Sequence, residues 1–202
     1  MGTPRPRGGR PRDPSLDARI LAETFALMTQ VGYHGLRIDA VAERAGVPKS
    51  TIYRRWSSLA ELAVDAMDTA LGERHLPPTD DPLADLAAVV HVAHGYLTTP
   101  PLATALPQLA MELTASPEAQ ASYRERVIAP LRDAAVSAVA RAAAEGQWPG
   151  PDPETSVDMI IGTVAYRLTY LGQVATEEQV FEVAEAVARR PLPRPVQPPK
   201  ET

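Results

Sequence analysis

The sequence predicts an all-α protein built as a three-helix N-terminal unit followed by a larger helical domain. Three observations carry this. Apolar residues recur at three- and four-residue spacing in one segment after another, which places them on one face of a helix, and no stretch calls for a strand. Gly and Pro, 12 and 21 in 202 residues, stand between those segments, where they end and restart helices. Charge is divided along the chain: ten basic and six acidic residues up to Leu62, but ten basic and nineteen acidic from Ala63 onward. A protein acidic as a whole therefore has a basic first third, the part suited to a polyanionic partner.

Residues 1–12 read as a flexible basic arm. Arg5, Arg7, Arg10 and Arg12 occur without an acid, among enough Gly and Pro to forbid a core. Such an arm can reach a neighbouring minor groove. Residues 13–57 read as a helix-turn-helix domain. Asp13 or Ser15 caps the first helix, Ile20, Leu21, Thr24, Leu27, Met28 and Val31 give it a buried face, and Gly32 ends it. Tyr33 is expected beneath the helix-turn-helix and His34 in an exposed turn.

The stretch IDAVAERAGVPKSTIYRRW, from Ile38 to Trp56, organises this domain. Ile38, Val41, Ala42 and Ala45 form an apolar stripe; Gly46 supplies the left-handed residue of a sharp turn, Val47 plugs it, and Pro48 opens the next helix. The second helix carries Lys49, Ser50, Thr51, Tyr53, Arg54 and Arg55, with Ile52 and Trp56 four apart to anchor it. Cations, hydroxyls and a phenol are the groups that phosphates and base edges accept from a helix in the major groove. A surface helix with solvated charges is the alternative, and the arginine arm ahead of it argues against that.

GRPR before the first helix, GY after it, and VAERAGVPKSTIYRRW followed by SSLAELAVDAM cover nearly sixty residues. This run resembles the N-terminal domain of the tetracycline-repressor (TetR) family of one-component bacterial transcription regulators, and TIYRRW resembles a subgroup common in high-GC bacteria. Beyond it the likeness is in length, helicity and the AYRLTYLG segment. The resemblance implies that Lys49, Ser50, Thr51 and Arg54 or Arg55 face DNA, that Tyr53 donates to a phosphate and that Trp56 is core. Two positions depart from the family pattern. Arg37 replaces a capping Thr or Ser; it cannot cap the second helix but could reach phosphate. Leu59 replaces a Lys, which removes one phosphate contact.

Residues 58–190 read as a helical ligand-binding and dimerisation domain. Ser58 and Glu61 form a capping box, and Leu62, Met67 and Leu71 line a helix that joins the two domains. GERHLPPTDDP is a polar connection. Leu83 to Thr98 is apolar nearly all round, as in a helix buried on every side. Pro100, Pro101 and Pro107 shape a shorter broken segment. A long helix from about Pro117 to Glu145 is expected to kink at Pro130. Val157, Ile160, Ile161, Val164, Leu168 and Leu171 line a further helix, and Val180, Val183, Ala184 and Val187 the last. Residues 191–202 are a Pro-rich tail expected to be disordered.

Several partly polar groups fall among these apolar segments: His91, Tyr96, Met111, Met159, Thr163 and Tyr166 are the candidate ligand-binding residues. Apolar walls with a few hydroxyls and imidazoles suit a small-molecule pocket between helices. The ligand would be mostly apolar, because no Arg or Lys has a clearly inward position, apart from Arg167. His91 and His94 lack a third ligand of suitable spacing, so no metal and no cofactor are implied. No G-x-S-x-G, H-E-x-x-H or phosphate-binding glycine loop is present, which argues against an enzyme.

With no cysteine and no long apolar run, a cytoplasmic protein without membrane contact is expected. The expected function is that of a homodimeric repressor. It reads a palindromic operator in double-stranded DNA, pairs through the last two helices and is released by a small-molecule effector. Control by a protein partner is the alternative, and a helical enzyme acting on a small molecule a more distant one.

Overall fold

A computed structural model describes residues 14–194. The arm with Arg10, the Asp13 cap and residues 195–202 of the expected tail lie outside the described residues. Ten α-helices occur within them and no strand: α1 Pro14–Gly35, α2 Ile38–Arg44, α3 Lys49–Tyr53, α4 Leu59–Leu71, α5 Pro82–Thr98, α6 Leu102–Glu112, α7 Pro117–Tyr123, α8 Ala129–Ala144, α9 Pro153–Leu171 and α10 Glu177–Ala188. Gly32, at φ 69° and ψ 168°, interrupts α1 where the sequence expects it to end, and Tyr33–Gly35 add one more turn. Gly46 is left-handed at φ 63° and turns the chain from α2 into α3.

The buried residues form two cores. One core takes in α1–α4 together with Leu106 and Leu109 of α6, Tyr123 of α7 and Val127. The other is built from α5, α8, α9 and α10 around Phe181, Ala138 and Val139. Helix α4 belongs to the first: Leu62, Val64 and Met67 are fully buried, each contributing about 1.5–3 kcal/mol of burial. Helices α6 and α7 thus fasten part of the C-terminal half onto the N-terminal helices. Among the described residues, no helix is long and apolar enough to cross a membrane.

Local chemistry explains most ends and corrects some. Ser58 caps α4 by accepting from the Glu61 N–H at 3.1 Å, but the Glu61 carboxylate returns to the N–H and hydroxyl of Ser57, one residue earlier than a reciprocal box requires. Pro107 sits inside one continuous α6 instead of breaking it; the buried face of Ala103, Ala105, Leu106 and Leu109 offsets the lost backbone bond.

The kink expected at Pro130 is a wide π turn over Arg124–Ile128. Pro130 has no N–H to give the carbonyl of Arg126, and that carbonyl instead accepts from Arg74 at 2.7 Å. The start of the expected tail is pinned. Leu192 is buried in the second core, and Arg194 pairs with Glu178 and Glu185 while lying 4.4 Å from the centre of the Phe181 ring.

Candidate nucleic-acid interface and effector cavity

Helix α3 is only five residues long, so its orientation is set by what holds it. Ile52 and Trp56 are buried in the first core, and the Trp56 Nε1–H donates to the Asp65 carboxylate of α4 at 2.8 Å. This phase leaves Lys49, Ser50, Tyr53 and Arg54 exposed on one side, with Tyr53 at 58 % exposure. Positions i, i+1, i+4 and i+5 share a face, so the four form one donor surface. Lys49 is paired with Asp39 at 2.6 Å, but both are largely exposed. A pair of this kind is worth about 0–1 kcal/mol, so a phosphate can displace the carboxylate.

Two residues expected to face DNA are turned inward. Thr51 is buried, and its hydroxyl accepts from Arg54 at 3.2 Å, which orients that side chain. Arg55 pairs with Asp17 of α1 and donates to the Thr51 carbonyl at 3.2 Å, which ties α3 to α1. Their neighbours Ile52 and Trp56 dictate this by taking the core. Arg37 is exposed and makes no cap bond. Its guanidinium folds back onto the carbonyls of His34 and Leu36 at 2.7 and 2.8 Å. Leu59 is partly buried against the first core.

A cavity of about 400 Å³ lies on the seam between the two cores, within the size range of small-molecule pockets. Leu71, Leu106 and Val127 face it from the first core; Val89, Ala135 and Val157 from the second; Ala93, Tyr96, Leu97, Ile128, Leu131 and Ile161 complete an apolar wall. Of the six residues expected to bind a ligand, Tyr96 lines it. His91 and His94 are struts instead: His91 Nδ1 lies 2.6 Å from the Glu177 carboxylate and His94 Nε2 2.9 Å from the Ala175 carbonyl. Met111, Met159 and Tyr166 are exposed, and Thr163 is on the same outer face of α9.

Two of the cavity's polar groups reach α4. Tyr96 donates its hydroxyl to the Leu71 carbonyl at 2.9 Å. Arg74, from the connection after α4, donates to the carbonyls of Asp68 and Gly72 at 3.2 Å each. Two cavity-lining side chains therefore satisfy carbonyls that the end of a helix leaves open. A charge cluster extends the link: Arg74 and Arg126 share the Asp68 carboxylate, and Arg126 also pairs with Asp65, the acceptor of Trp56. Burial lowers the Arg126 pKa, but the Asp65 and Asp68 bonds outweigh it and hold the guanidinium above its ordinary value.

Arg74 is an inward cation that the helical periodicity does not mark. Its signal is its place: a cation just past a helix C-terminus is well put to bond the last carbonyls.

Comparison with known proteins agrees with this geometry. Residues 20–66 match the family described as bacterial regulatory proteins, tetR family, and residues 76–187 match the tetracyclin repressor-like C-terminal domain. The HTH-type transcriptional regulator YdeS of Bacillus subtilis is 29% identical over 177 residues, 87% of this chain and 89% of that protein. The TetR family transcription regulator SCO0332 superposes with a TM-score of 0.68 at 26% identity, over 89% of this chain and 100% of that one. AibR, in complex with isovaleryl coenzyme A and operator DNA, has a similar fold, with a TM-score of 0.64 at 18% identity over 87% of this chain and 99% of that one. The chain belongs to the tetR family of DNA-binding bacterial transcription regulators.

Proposed function

We propose that this protein is a homodimeric transcriptional repressor that holds a palindromic operator and releases it when a mostly apolar small molecule enters the cavity between its two cores. The observation that carries this reading is the position of the cavity. Its walls draw on both the core that includes α3 and the core that includes α9, and two of its polar groups, Tyr96 and Arg74, hold the end of α4. A ligand that favours a wider seam would shift α4 and with it the head. Coupling of this type is commonly about 1–3 kcal/mol, enough to release an operator. AibR, with an acyl-CoA and operator DNA in one complex, supports a ligand-responsive reading. The direct test is fluorescence anisotropy against the protein's own promoter region and a scrambled control at two salt concentrations. Equal, weak binding to both would remove the claim of specific recognition at that site.

On the donor surface, Tyr53→Phe is expected to weaken binding about equally on all sequences, as loss of a phosphate contact does. Lys49→Ala is expected to change preference at particular base pairs by about 1–3 kcal/mol. Anisotropy with a panel of singly substituted operators separates the two; a Tyr53→Phe variant altered only in preference would reassign Tyr53 to base reading.

The dimer is assigned to α9. Ser156, Val157, Ile160 and Val164 face its own subunit. Met159, Thr163, Tyr166 and Tyr170 line the other side at i, i+4, i+7 and i+11, where the two Tyr rings stack at 5.5 Å. Such a second apolar stripe suits an identical helix across a two-fold axis. The sequence expectation gave α10 an equal apolar role, but Val180, Phe181, Ala184, Val187 and Ala188 are spent inside the subunit. Its outward Glu178 and Glu182 are polar. Tyr166→Glu is therefore expected to yield monomers in light scattering and to lose palindrome binding, with the helical circular-dichroism spectrum retained and a lower, concentration-independent melting temperature. A dimeric variant would place the interface elsewhere.

A further inference from the structure

Among the charged groups of the described residues that line the cavity, Arg74 alone combines deep burial with an unspent donor. Its side chain is 5% exposed, and its Nε–H has no acceptor. The other donors are committed: Nη1 to the carbonyls of Asp68 and Gly72, Nη2 to the Asp68 carboxylate and the Arg126 carbonyl. Arginine keeps its charge at any physiological pH, and a buried donor without an acceptor is destabilising. Arg132, also at the cavity, is bound to Asp158 at 3.0 Å in a more exposed position.

The Asp68 carboxylate is shared. Its Oδ1 meets Arg74 and its Oδ2 meets Arg126 at 3.1 Å. If Arg74 turned to another anion, Asp68 would keep a cationic partner, so the exchange leaves no carboxylate stranded. Most of the cavity's wall is apolar, including Leu71, Val89, Ala93, Leu106 and Leu131, with Arg132 and Asp158 as its other charged groups.

Resting on the reading of this cavity as the effector site, we propose that its ligand is an amphiphile with an apolar body and a carboxylate end, and that the carboxylate takes Arg74 from Asp68. The apolar body fills the seam, and the acid gives the guanidinium a charge-assisted partner, a stronger bond than a neutral acceptor offers. The exchange also draws Arg74 away from the carbonyls of Asp68 and Gly72. The ligand's head group thus frees the end of α4, while its tail decides how far the cores part.

The test uses the full chain and a series with one apolar tail, namely decanoate, decanol, methyl decanoate and decylamine, each below its micellar concentration, titrated by calorimetry. Decanoate is expected to bind about tenfold tighter than the alcohol or the ester, with decylamine weakest. In Arg74→Lys, which keeps the charge but loses the planar fork, the gap between decanoate and decanol should shrink to about twofold. Ala93→Phe, which fills the cavity, should abolish binding of the whole series. If Arg74→Lys does not fold, the head-group series on the unaltered protein decides alone.

Equal binding of decanoate and decanol, or an undiminished gap in Arg74→Lys, overturns acid recognition and leaves the cavity as an effector site. Binding of none of the series, or binding that survives Ala93→Phe, overturns both.

Discussion

Trp56→Ala is expected to abolish operator binding and to lower the melting temperature by about 6–20 °C. Trp56 is 4% exposed in the first core, and truncating a buried Trp costs about 3–5 kcal/mol; in a chain of this length each kcal/mol moves the midpoint by about 2–4 °C. The loss of DNA binding has a separate cause. A five-residue helix is not stable by itself, and α3 owes its position to Ile52, Trp56 and the Arg55–Asp17 pair. Without the indole, the anchor at its C-terminal end and the bond to Asp65 both disappear.

Trp56→Phe separates these terms. It keeps most of the volume and removes one hydrogen bond, so a loss of about 1–2 kcal/mol and partial DNA binding are expected. Circular-dichroism melts and anisotropy measure the two effects. A Trp56→Ala variant that melted and bound normally would show that α3 is seated without this joint.

The same residue shows what the sequence could and could not reveal. Trp56 and Ile52 were legible as core because their spacing matches one helical turn, and Gly46 and Pro48 marked the turn between α2 and α3. Thr51 and Arg55 were assigned outward by residue type, although each stands directly beside a core residue. On so short a helix one step rotates the side chain by about 100°, and phase outweighs chemistry. Helix α9 posed a different difficulty. It has apolar residues on two sides, and periodicity cannot say which side meets its own subunit; Met159, Thr163 and Tyr166 were read into a pocket and stand on the outer stripe.

Arg74 was the least legible. It lies in a polar, Pro-containing connection, and its burial depends on a carbonyl 52 residues away that is free because Pro130 cannot bond to it. Tyr96 was easier to find, since a Tyr on a helix apolar all round needs a buried partner, here the Leu71 carbonyl.

The connection that carries Arg74 is itself held by Asp85, and Asp85→Ala is expected to lower stability by about 2–3 kcal/mol. The Asp85 carboxylate accepts from the Thr79 N–H at 2.9 Å, from its hydroxyl at 2.7 Å and from Arg141. Without it Arg141 keeps only the Thr79 carbonyl, and its buried Nε already has no acceptor. Breaking a fully buried pair costs about 3–5 kcal/mol, and the loss here falls below that range because Arg141 is 32% exposed.

Burial pushes the Asp85 pKa up, but the bonds from Thr79 and Arg141 outweigh it and leave the carboxyl below its ordinary value. Glu61, bonded by Ser57, and Glu185, bonded by Arg194 and the Leu192 N–H, are lowered too. A group whose pKa is lower folded than unfolded gives its full stabilisation above the unfolded value and loses it as pH falls through the folded one. The melting temperature should accordingly hold from about pH 8 to 5 and drop below about pH 4. Asp85→Asn should start lower and fall less steeply, because the neutral amide still accepts from Thr79 but has no charge left to titrate. Parallel acid limbs for the two proteins would mean that Asp85 is not coupled to folding. A shallower limb would show that the charge on Asp85, held by Thr79 and Arg141, contributes to folding stability.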